Sequence, residues 1–236
     1  MNIFAHRGSS GHYPENTMTA FRKAQEAGSY GIELDVQLTK DGEVVIIHDE
    51  KVDRTTDGSG FVLDHSLKEL RRLNASKNDF ETVPTFNEYC EWAAETHIVT
   101  NIELKSSVIY YKGLEQKTLD IIGRYGLEKS VILSSFNHMS LMEVQRLAPT
   151  VETAALVANP GLRFGGNFCS KYGFTYFHPE FESIDEDTIE ECLENGIGVN
   201  TWTVNTEKQL QRTLDLGVAG IFTNYPLMCI EYLGGN

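Results

Sequence analysis

The sequence predicts an α/β fold, a closed (β/α)8 barrel of parallel strands with a small insertion after the second strand. Short β-branched or apolar runs alternate with helical patterns along nearly all 236 residues, which is typical of strands joined by crossover helices. The chain has the length of one such barrel. Its 41% hydrophobic and 23% charged residues are ordinary for a globular protein. We therefore expect a single domain over residues 1–236.

Eight strand patterns follow one another, each next to turn residues or a helical pattern. They cover residues 2–5, 31–38, 98–104, 131–136, 153–157, 174–177, 198–204 and 220–223. Helical patterns lie between them at residues 17–27, 86–96, 114–125, 139–147, 185–195 and 207–216. Several of these patterns end at glycine, which readily adopts the left-handed conformation that closes a helix. Eight strand–helix units predict a closed barrel.

One segment interrupts this alternation after the second strand. Only residues 39–42 separate Leu38, at the end of that strand, from Glu43, which precedes the apolar run 44–47, and four residues are too few for a crossover helix. The run must therefore return antiparallel through a hairpin turn. From there to about Pro84 the chain is polar and rich in turn residues. We expect an insertion at about 39–84 that caps one end of the barrel.

Charge and composition exclude several classes of function. Twenty Lys and Arg residues stand against 34 Asp and Glu residues, a formal net charge of −14. This excludes a basic surface for nucleic acid or anionic lipid. No apolar run reaches the roughly 18 residues of a membrane span, and no signal-peptide pattern precedes the first strand. We expect a cytoplasmic protein without stable membrane association; the sequence leaves its oligomeric state open.

Acidic side chains share one face of the second predicted strand. Apolar residues occupy its even positions, whereas Glu33, Asp35 and Gln37 occupy odd positions. In a barrel the apolar face packs on the helices, so the acids must point into the lumen. Isolated ionised groups there cost on the order of several kcal/mol each. Glu103 faces inward in the same way from the next strand, two residues before Lys105.

The three carboxylates Glu33, Asp35 and Glu103 form an oxygen-rich set suited to Ca²⁺ or Mg²⁺ rather than to zinc or copper. Two alternatives stay open: a solvated strand face with ordinary charges, and a buried Glu103–Lys105 ion pair that needs no metal. One lysine does not neutralise three acids, which favours the metal site.

Two histidines follow strand ends at one mouth of the predicted barrel. His6 ends the first strand, and the hairpin returns the chain so that His48 lies near the same rim. Because imidazole has an ordinary pKa of about 6.5, such a pair can divide acid and base work. Each histidine could instead be structural.

Three further side chains are candidates for substrate binding. Arg7 offers a planar fork that matches a phosphate, and Lys105 offers a point charge. Trp202 could stack on the apolar face of a polyol or fill the barrel top as core. Residues 14–17 are interpreted mainly as the start of the first helix, with Asn16 or Thr17 as its cap.

Together these motifs resemble the glycerophosphodiester phosphodiesterase family over nearly the full chain. In family order they are His6-Arg7-Gly8, Pro14-Glu15-Asn16-Thr17, Glu33-x-Asp35, Asp41-Gly42, His48-Asp49, Arg54-Thr55-Thr56, Glu103-x-Lys105, Trp202-x-Val204-Asn205 and Gly220-Ile221-Phe222-Thr223-Asn224-Tyr225-Pro226. One departure is Asn224, where many members of that family carry aspartate.

The resemblance implies a TIM barrel that cleaves small phosphodiesters with the help of a divalent metal. The site residues it implies are Glu33, Asp35 and Glu103 for the metal, His6 and His48 as the acid–base pair, and Arg7 for the phosphate. We therefore expect metal-dependent hydrolysis of a glycerophosphodiester to sn-glycerol 3-phosphate and an alcohol.

Several alternatives to this function stay open. The nucleophile is either water or the glycerol 2-hydroxyl, which would give a cyclic phosphate first. A lysophospholipid substrate would require an exposed apolar surface near the mouth, for which residues 61–63 are the candidates. A barrel that binds a phosphorylated ligand without turnover is the other hypothesis, but it needs neither His6 nor His48.

Overall fold

The structure is a computed structural model that describes residues 1–76, 79–158 and 163–234. In these ranges nine strands form one sheet, and pairing of its first and second strands closes the sheet into a barrel. The strands are β1 (Asn2–His6), β2 (Gly31–Leu38), β3 (Val44–Ile46), β4 (Val99–Leu104), β5 (Val131–Ser135), β6 (Glu152–Val157), β7 (Tyr176–Pro179), β8 (Gly198–Thr201) and β9 (Gly220–Thr223).

Eight of these strands are parallel and form the barrel wall, whereas β3 lies at the edge of the sheet and pairs only with β2. β3 runs antiparallel to β2, with Leu38 opposite Val44 and Val36 opposite Ile46. Gly42 takes a φ of +81° in the connecting turn, a conformation that glycine adopts without steric cost. The predicted barrel and the predicted hairpin after its second strand are both confirmed.

Helices cover the outside of the barrel between successive strands. Within the described ranges they are α1 (Met18–Glu26), α2 (Leu67–Leu70), α3 (Phe86–Thr96), α4 (Leu114–Tyr125), α5 (His138–Leu147), α6 (Gly165–Tyr172), α7 (Glu186–Glu194), α8 (Glu207–Leu216) and α9 (Pro226–Tyr232). The six predicted helices agree with these bounds to within one residue at each end. Helix α6 had no predicted counterpart, because it begins with two glycines, which have low helix propensity.

Two strands differ from their predicted bounds by more than one residue. β7 begins at Tyr176 rather than at 174, because the N–H of Phe174 instead closes helix α6 by donating to the Cys169 carbonyl at 2.8 Å. β8 ends at Thr201 rather than at 204. The N–H of Val204 does donate to the Phe222 carbonyl of β9, but this bond is out of register with the Thr201–Ile221 pair that precedes it.

The alternation within β2 separates an apolar face from a polar one. Ile32, Leu34 and Val36 pack outward in one cluster with Phe21 of α1 and Tyr89 of α3. This burial is the hydrophobic contact that holds the helices on the sheet. The intervening polar residues of β2 consequently face the lumen.

The segment between β3 and α3 packs on Val45 of β3 and forms a small apolar core with it, from Ile47, Val52, Val62, Leu70 and Val83. It contains α2 and a 3-10 turn at Val62–Asp64. Residues 77–78 of the predicted insertion lie outside the described residues. The organisation as one domain with an inserted cap stays a prediction.

None of the described helices combines the length and the apolar character that crossing a membrane requires.

Candidate active site

Three acidic side chains meet at the carboxyl end of the barrel strands. Glu33 and Asp35 project from β2, and Glu103 projects from β4, where it stands opposite Asp35 in the strand register. One carboxylate oxygen of each residue lies within 4.8 Å of the other two. All three residues are buried, with relative exposures of 5%, 0% and 7%. The structure thus brings the three predicted metal ligands together.

Two cations face these carboxylates. Nζ of Lys105 donates to Oε1 of Glu103 at 2.8 Å and lies 3.8 Å from Oδ1 of Asp35. Nε of Arg7 lies 3.6 Å from Oδ2 of Asp35. The predicted Glu103–Lys105 ion pair therefore exists, but three ionised carboxylates against two cations still leave one net negative charge. A buried net charge is costly unless another group balances it.

The uneven contacts give the three carboxylates different acidities. Burial, and after it the Asp35 carboxylate, raise the pKa of Glu33 well above its usual value. Burial also raises the pKa of Glu103. Burial opposes ionisation of Asp35 too, but Arg7 and Lys105 outweigh it and lower the pKa of Asp35 to about 2. The protein alone therefore stabilises only part of the negative charge that the three carboxylates can carry.

The donor set fits a divalent cation. It offers only oxygen atoms, as hard cations prefer. Oδ1 of Asp35 is buried and accepts no hydrogen bond from any of the described residues. An ion held by Glu33, Asp35 and Glu103 would supply both the missing partner and the missing positive charge.

His6 and His48 line one cavity of about 140 Å³ beside the carboxylates. The polar wall of the cavity consists of His6, Arg7, Glu33, His48, Asn101 and Glu103. The apolar wall consists of Phe136, Leu156, Trp202 and Phe222. Six of the eight predicted site residues thus share one cavity. The other two, Asp35 and Lys105, lie behind the wall and contact it through Arg7 and Glu103.

Each of the two histidines donates its Nδ1 hydrogen to an oxygen. Nδ1 of His6 donates to Oδ1 of Asn224 at 2.7 Å, and Nδ1 of His48 donates to Oδ1 of Asp49 at 2.6 Å. Because amide and carboxylate oxygens accept, Nε2 carries no hydrogen in the neutral rings. Burial, and after it Arg7, lower the pKa of His6 to about 4. Two imidazoles with free Nε2 atoms can exchange protons with a bound ligand.

The turn after β1 places Arg7 through an unusual backbone conformation. Arg7 has a φ of +55°, and its N–H donates to Oε2 of Glu33 at 2.8 Å. Gly8 follows with a φ of +80°, and a Cβ there would lie 2.7 Å from the main chain of Ala20. Only glycine fits this approach of the turn to α1.

Sequence reasoning missed four polar residues that contact the site. Glu15 accepts from Nη1 of Arg7 at 2.9 Å, and Nδ2 of Asn16 donates to Oδ2 of Asp35 at 2.8 Å. The sequence predicts for both residues only a place at the start of a helix. The predicted cap is confirmed, because Thr17 caps α1. Their position in the loop after β1 was the available signal, because such loops meet at the mouth of a barrel.

The other two missed residues are Gln37 and Asn224. Gln37 lies on the acidic face of β2, and its amide holds the main chain that carries His48. The sequence marks Asn224 only as a departure from the family pattern, although its Oδ1 accepts from Nδ1 of His6.

Trp202 is packed into the barrel top but is not fully enclosed by it. Its Nε1 donates to the His178 carbonyl at 2.9 Å, and its ring packs edge-on against Phe136, with centroids 5.7 Å apart. It also lines the cavity. The ring is therefore held by the barrel top and still presents a surface to a ligand.

Known proteins resemble this chain over nearly its whole length. The model of the glycerophosphoryl diester phosphodiesterase family matches residues 6–228. A glycerophosphodiester phosphodiesterase of Caldanaerobacter subterraneus is 42% identical over 229 residues, which are 95% of this chain and 94% of that protein. Another, from Bacillus altitudinis, is 39% identical over 232 residues, with coverages of 95% and 94%.

Solved structures with the same fold extend this likeness. A phosphodiesterase of Oleispira antarctica, in complex with the product sn-glycerol-3-phosphate, is 28% identical with a TM-score of 0.88 and covers 100% of this chain and 97% of its own. A glycerophosphodiester phosphodiesterase of Parabacteroides distasonis is 27% identical with a TM-score of 0.86, at coverages of 99% and 96%. The chain therefore belongs to the glycerophosphoryl diester phosphodiesterase family.

Proposed function

We propose that this protein hydrolyses glycerophosphodiesters to sn-glycerol 3-phosphate and an alcohol, using a divalent metal and the histidine pair His6 and His48. The observation that carries the proposal is that two histidines, Arg7 and two carboxylates line one cavity, with Asp35 and Lys105 directly behind its wall. Family membership supports the reaction class. The Oleispira antarctica relative, solved with sn-glycerol-3-phosphate as its product, supports the choice of substrate.

Glu33, Asp35 and Glu103 would hold Ca²⁺ or Mg²⁺. A divalent ion would change the site from one net negative charge to one net positive charge, which complements the single negative charge of a phosphodiester. When bound, such an ion acts as a Lewis acid toward the phosphoryl oxygens. This local charge accounts for how an acidic protein attracts an anionic substrate.

The protein's own side chains bind the substrate and move the protons. The guanidinium of Arg7 donates to phosphoryl oxygens, and Lys105 donates to Glu103, which favours the ionised form of that carboxyl; direct contact of Lys105 with substrate stays a prediction. The apolar wall, including Trp202, receives the carbon skeleton of the glycerol. One histidine, in its neutral form, takes a proton from the nucleophile at Nε2. The other enters as the imidazolium, with a hydrogen on both ring nitrogens, and gives its Nε2 proton to the departing alcohol oxygen.

Small water-soluble diesters are the proposed substrates, rather than lysophospholipids. Of the three apolar residues considered for an acyl surface, Val62 is buried and Leu63 is partly buried. Phe61 is exposed, but Nζ of Lys51 lies over its ring at 4.9 Å from the centroid. The absence of stable membrane binding and the cytoplasmic location stay predictions, which vesicle co-sedimentation and cell fractionation would test.

The proposal is tested by measuring sn-glycerol 3-phosphate released from glycerophosphocholine and glycerophosphoethanolamine. We expect release that stops with chelator and returns with Ca²⁺ or Mg²⁺. His6→Ala and His48→Ala should each lose roughly 10²- to 10⁴-fold in kcat. If chelator does not change the release of sn-glycerol 3-phosphate, the proposed metal requirement is contradicted. If the protein turns over no diester, the alternative of a barrel that binds a ligand without catalysis is favoured. A cyclic glycerophosphate seen by phosphorus NMR would identify the 2-hydroxyl, rather than water, as the nucleophile.

A further inference from the structure

A run of alternating charges joins Arg7 to His48 across the mouth of the barrel. Arg7 donates to Oε1 of Glu15 at 2.9 Å, and Glu15 accepts two further bonds from Arg54, at 2.7 and 2.8 Å. Arg54 also donates to both oxygens of Asp49, at 2.7 and 2.9 Å. Asp49 accepts from His48 at 2.6 Å. Glu15, Arg54 and Asp49 are termed the ion-pair bridge below.

The ion-pair bridge connects two separate parts of the chain. Glu15 lies in the loop between β1 and α1, whereas Asp49 and Arg54 lie in the segment after β3. Arg54 uses its planar fork twice, once on each carboxylate, which fixes the orientation of both. A single guanidinium thereby links the loop that carries Arg7 to the segment that carries His48.

Stability alone is a weak explanation for this arrangement. The side chain of Arg54 is 48% exposed, and pairs at such sites contribute about 0–1 kcal/mol. The orientation it imposes has a clearer consequence. The Arg54 hydrogen bonds lower the pKa of Asp49, so Asp49 stays a carboxylate that only accepts. The Nδ1 hydrogen of His48 is then fixed, and its Nε2 stays free for the reaction.

We propose that Arg54 and Glu15 are positioning residues for the phosphodiesterase reaction. Arg54 holds Asp49 and, through it, the ring of His48, while Glu15 holds the guanidinium of Arg7. Neither residue lines the cavity described above, so each acts through its neighbour. The inference rests on the proposed function, and it gives a role to two motifs, at 14–17 and 54–56, that the proposed reaction leaves unused.

The two arms of the ion-pair bridge predict different kinetic effects. Arg54→Met keeps an unbranched stem but removes the guanidinium and its four hydrogen bonds, and kcat should fall about 10- to 100-fold, as for supporting residues around metal sites. Arg54→Lys keeps the charge without the fork and should retain an intermediate kcat. Glu15→Gln weakens the hold on Arg7 and should mainly raise KM, because Arg7 is the proposed phosphate contact.

A matched control and a double substitution distinguish a positioning role of Arg54 from a general loss of protein structure. Arg146 makes a similar bidentate pair with Glu143 on the outer helix α5, so Arg146→Met should leave kcat and KM unchanged. If Arg54 acts through Asp49, adding Arg54→Met to Asp49→Asn should lower kcat by less than threefold further. Independent residues would instead multiply their effects.

The deciding measurements are these kinetics together with nitrogen-15 NMR of the His48 ring. A loss of kcat in Arg54→Met, non-additivity with Asp49→Asn, and a changed tautomer signal of His48 in the resting protein support the proposal. Wild-type kcat in Arg54→Met, or effects that multiply, overturn it. If Arg54→Met does not fold, Arg54→Lys and Asp49→Asn take its place. If the wild-type protein cleaves no diester, the proposed function fails, and the NMR signal alone then decides whether Arg54 positions His48.

Discussion

A single buried amide, that of Gln37, holds the stretch of main chain that carries His48. Its Nε2 lies 2.9, 2.9 and 2.8 Å from the carbonyl oxygens of Ile47, His48 and Asp49. Its Oε1 accepts from the hydroxyl of Tyr111 at 2.7 Å. Gln37 is fully buried, so water does not replace these partners without a structural change.

Replacing Gln37 by Met keeps the side-chain volume but removes both the donor and the acceptor. The carbonyl of Ile47 and the hydroxyl of Tyr111 are in buried bonds, whereas the other two carbonyls are only partly buried. Each buried polar group left without a partner costs about 1–3 kcal/mol, so two cost about 2–6 kcal/mol. Unfolding of a whole domain requires only about 5–15 kcal/mol, so this loss is large.

Urea unfolding followed by tryptophan fluorescence measures the loss of stability, and steady-state kinetics measures the effect on His48. Gln37→Met should lower both the free energy of unfolding and kcat. Gln116→Met is the matched control, because Gln116 makes one exposed bond to Asp120 on α4 and should change stability by less than about 0.5 kcal/mol. A loss below about 1 kcal/mol with unchanged kcat in Gln37→Met would refute the reasoning.

Three other predictions concern a histidine partner, a turn and the metal. Asn224→Leu removes the acceptor 2.7 Å from Nδ1 of His6 and should lower kcat about 10- to 100-fold, whereas Asn224→Asp should retain most of it in the same kinetic assay. Gly8→Ala places a Cβ against Ala20 and should cost about 1–3 kcal/mol in urea unfolding. Ca²⁺ or Mg²⁺ at a hundred times its Kd should raise the free energy of unfolding by about 2.7 kcal/mol, and Asp35→Asn should weaken this response.

Each of these predictions has a clear contrary result. Wild-type kcat in Asn224→Leu would mean that His6 does not need that acceptor. An unchanged urea midpoint in Gly8→Ala would contradict the close approach of the turn to α1. A full response to the cation in Asp35→Asn would place the ion elsewhere in the protein.

The parts of the site that follow from the alternation of side chains along a strand were predictable from the sequence. In β2 a period of two puts Glu33 and Asp35 on one face, and barrel closure makes that face the lumen. The short connection of residues 39–43 after β2 likewise forces the hairpin that brings His48 back to the mouth. These inferences needed only local geometry and one assumption about the fold.

The contacts that sequence reasoning missed depend on distant parts of the chain. Glu15 and Arg54 are 39 residues apart, and the polar, turn-rich segment between β3 and α3 has no period that fixes its path. His6 and Asn224 are 218 residues apart and meet only because β1 pairs with β9 when the barrel closes. A residue pattern identifies such side chains as polar, but it does not specify their partners.

Calorimetric titration of Ca²⁺ and of Mg²⁺ into chelator-treated protein tests the central claim that Glu33, Asp35 and Glu103 hold a divalent ion. The account predicts one ion bound per chain, with the binding heat abolished or strongly weakened in Glu33→Gln and in Asp35→Asn. The absence of binding, or binding that both substitutions leave unchanged, would contradict it.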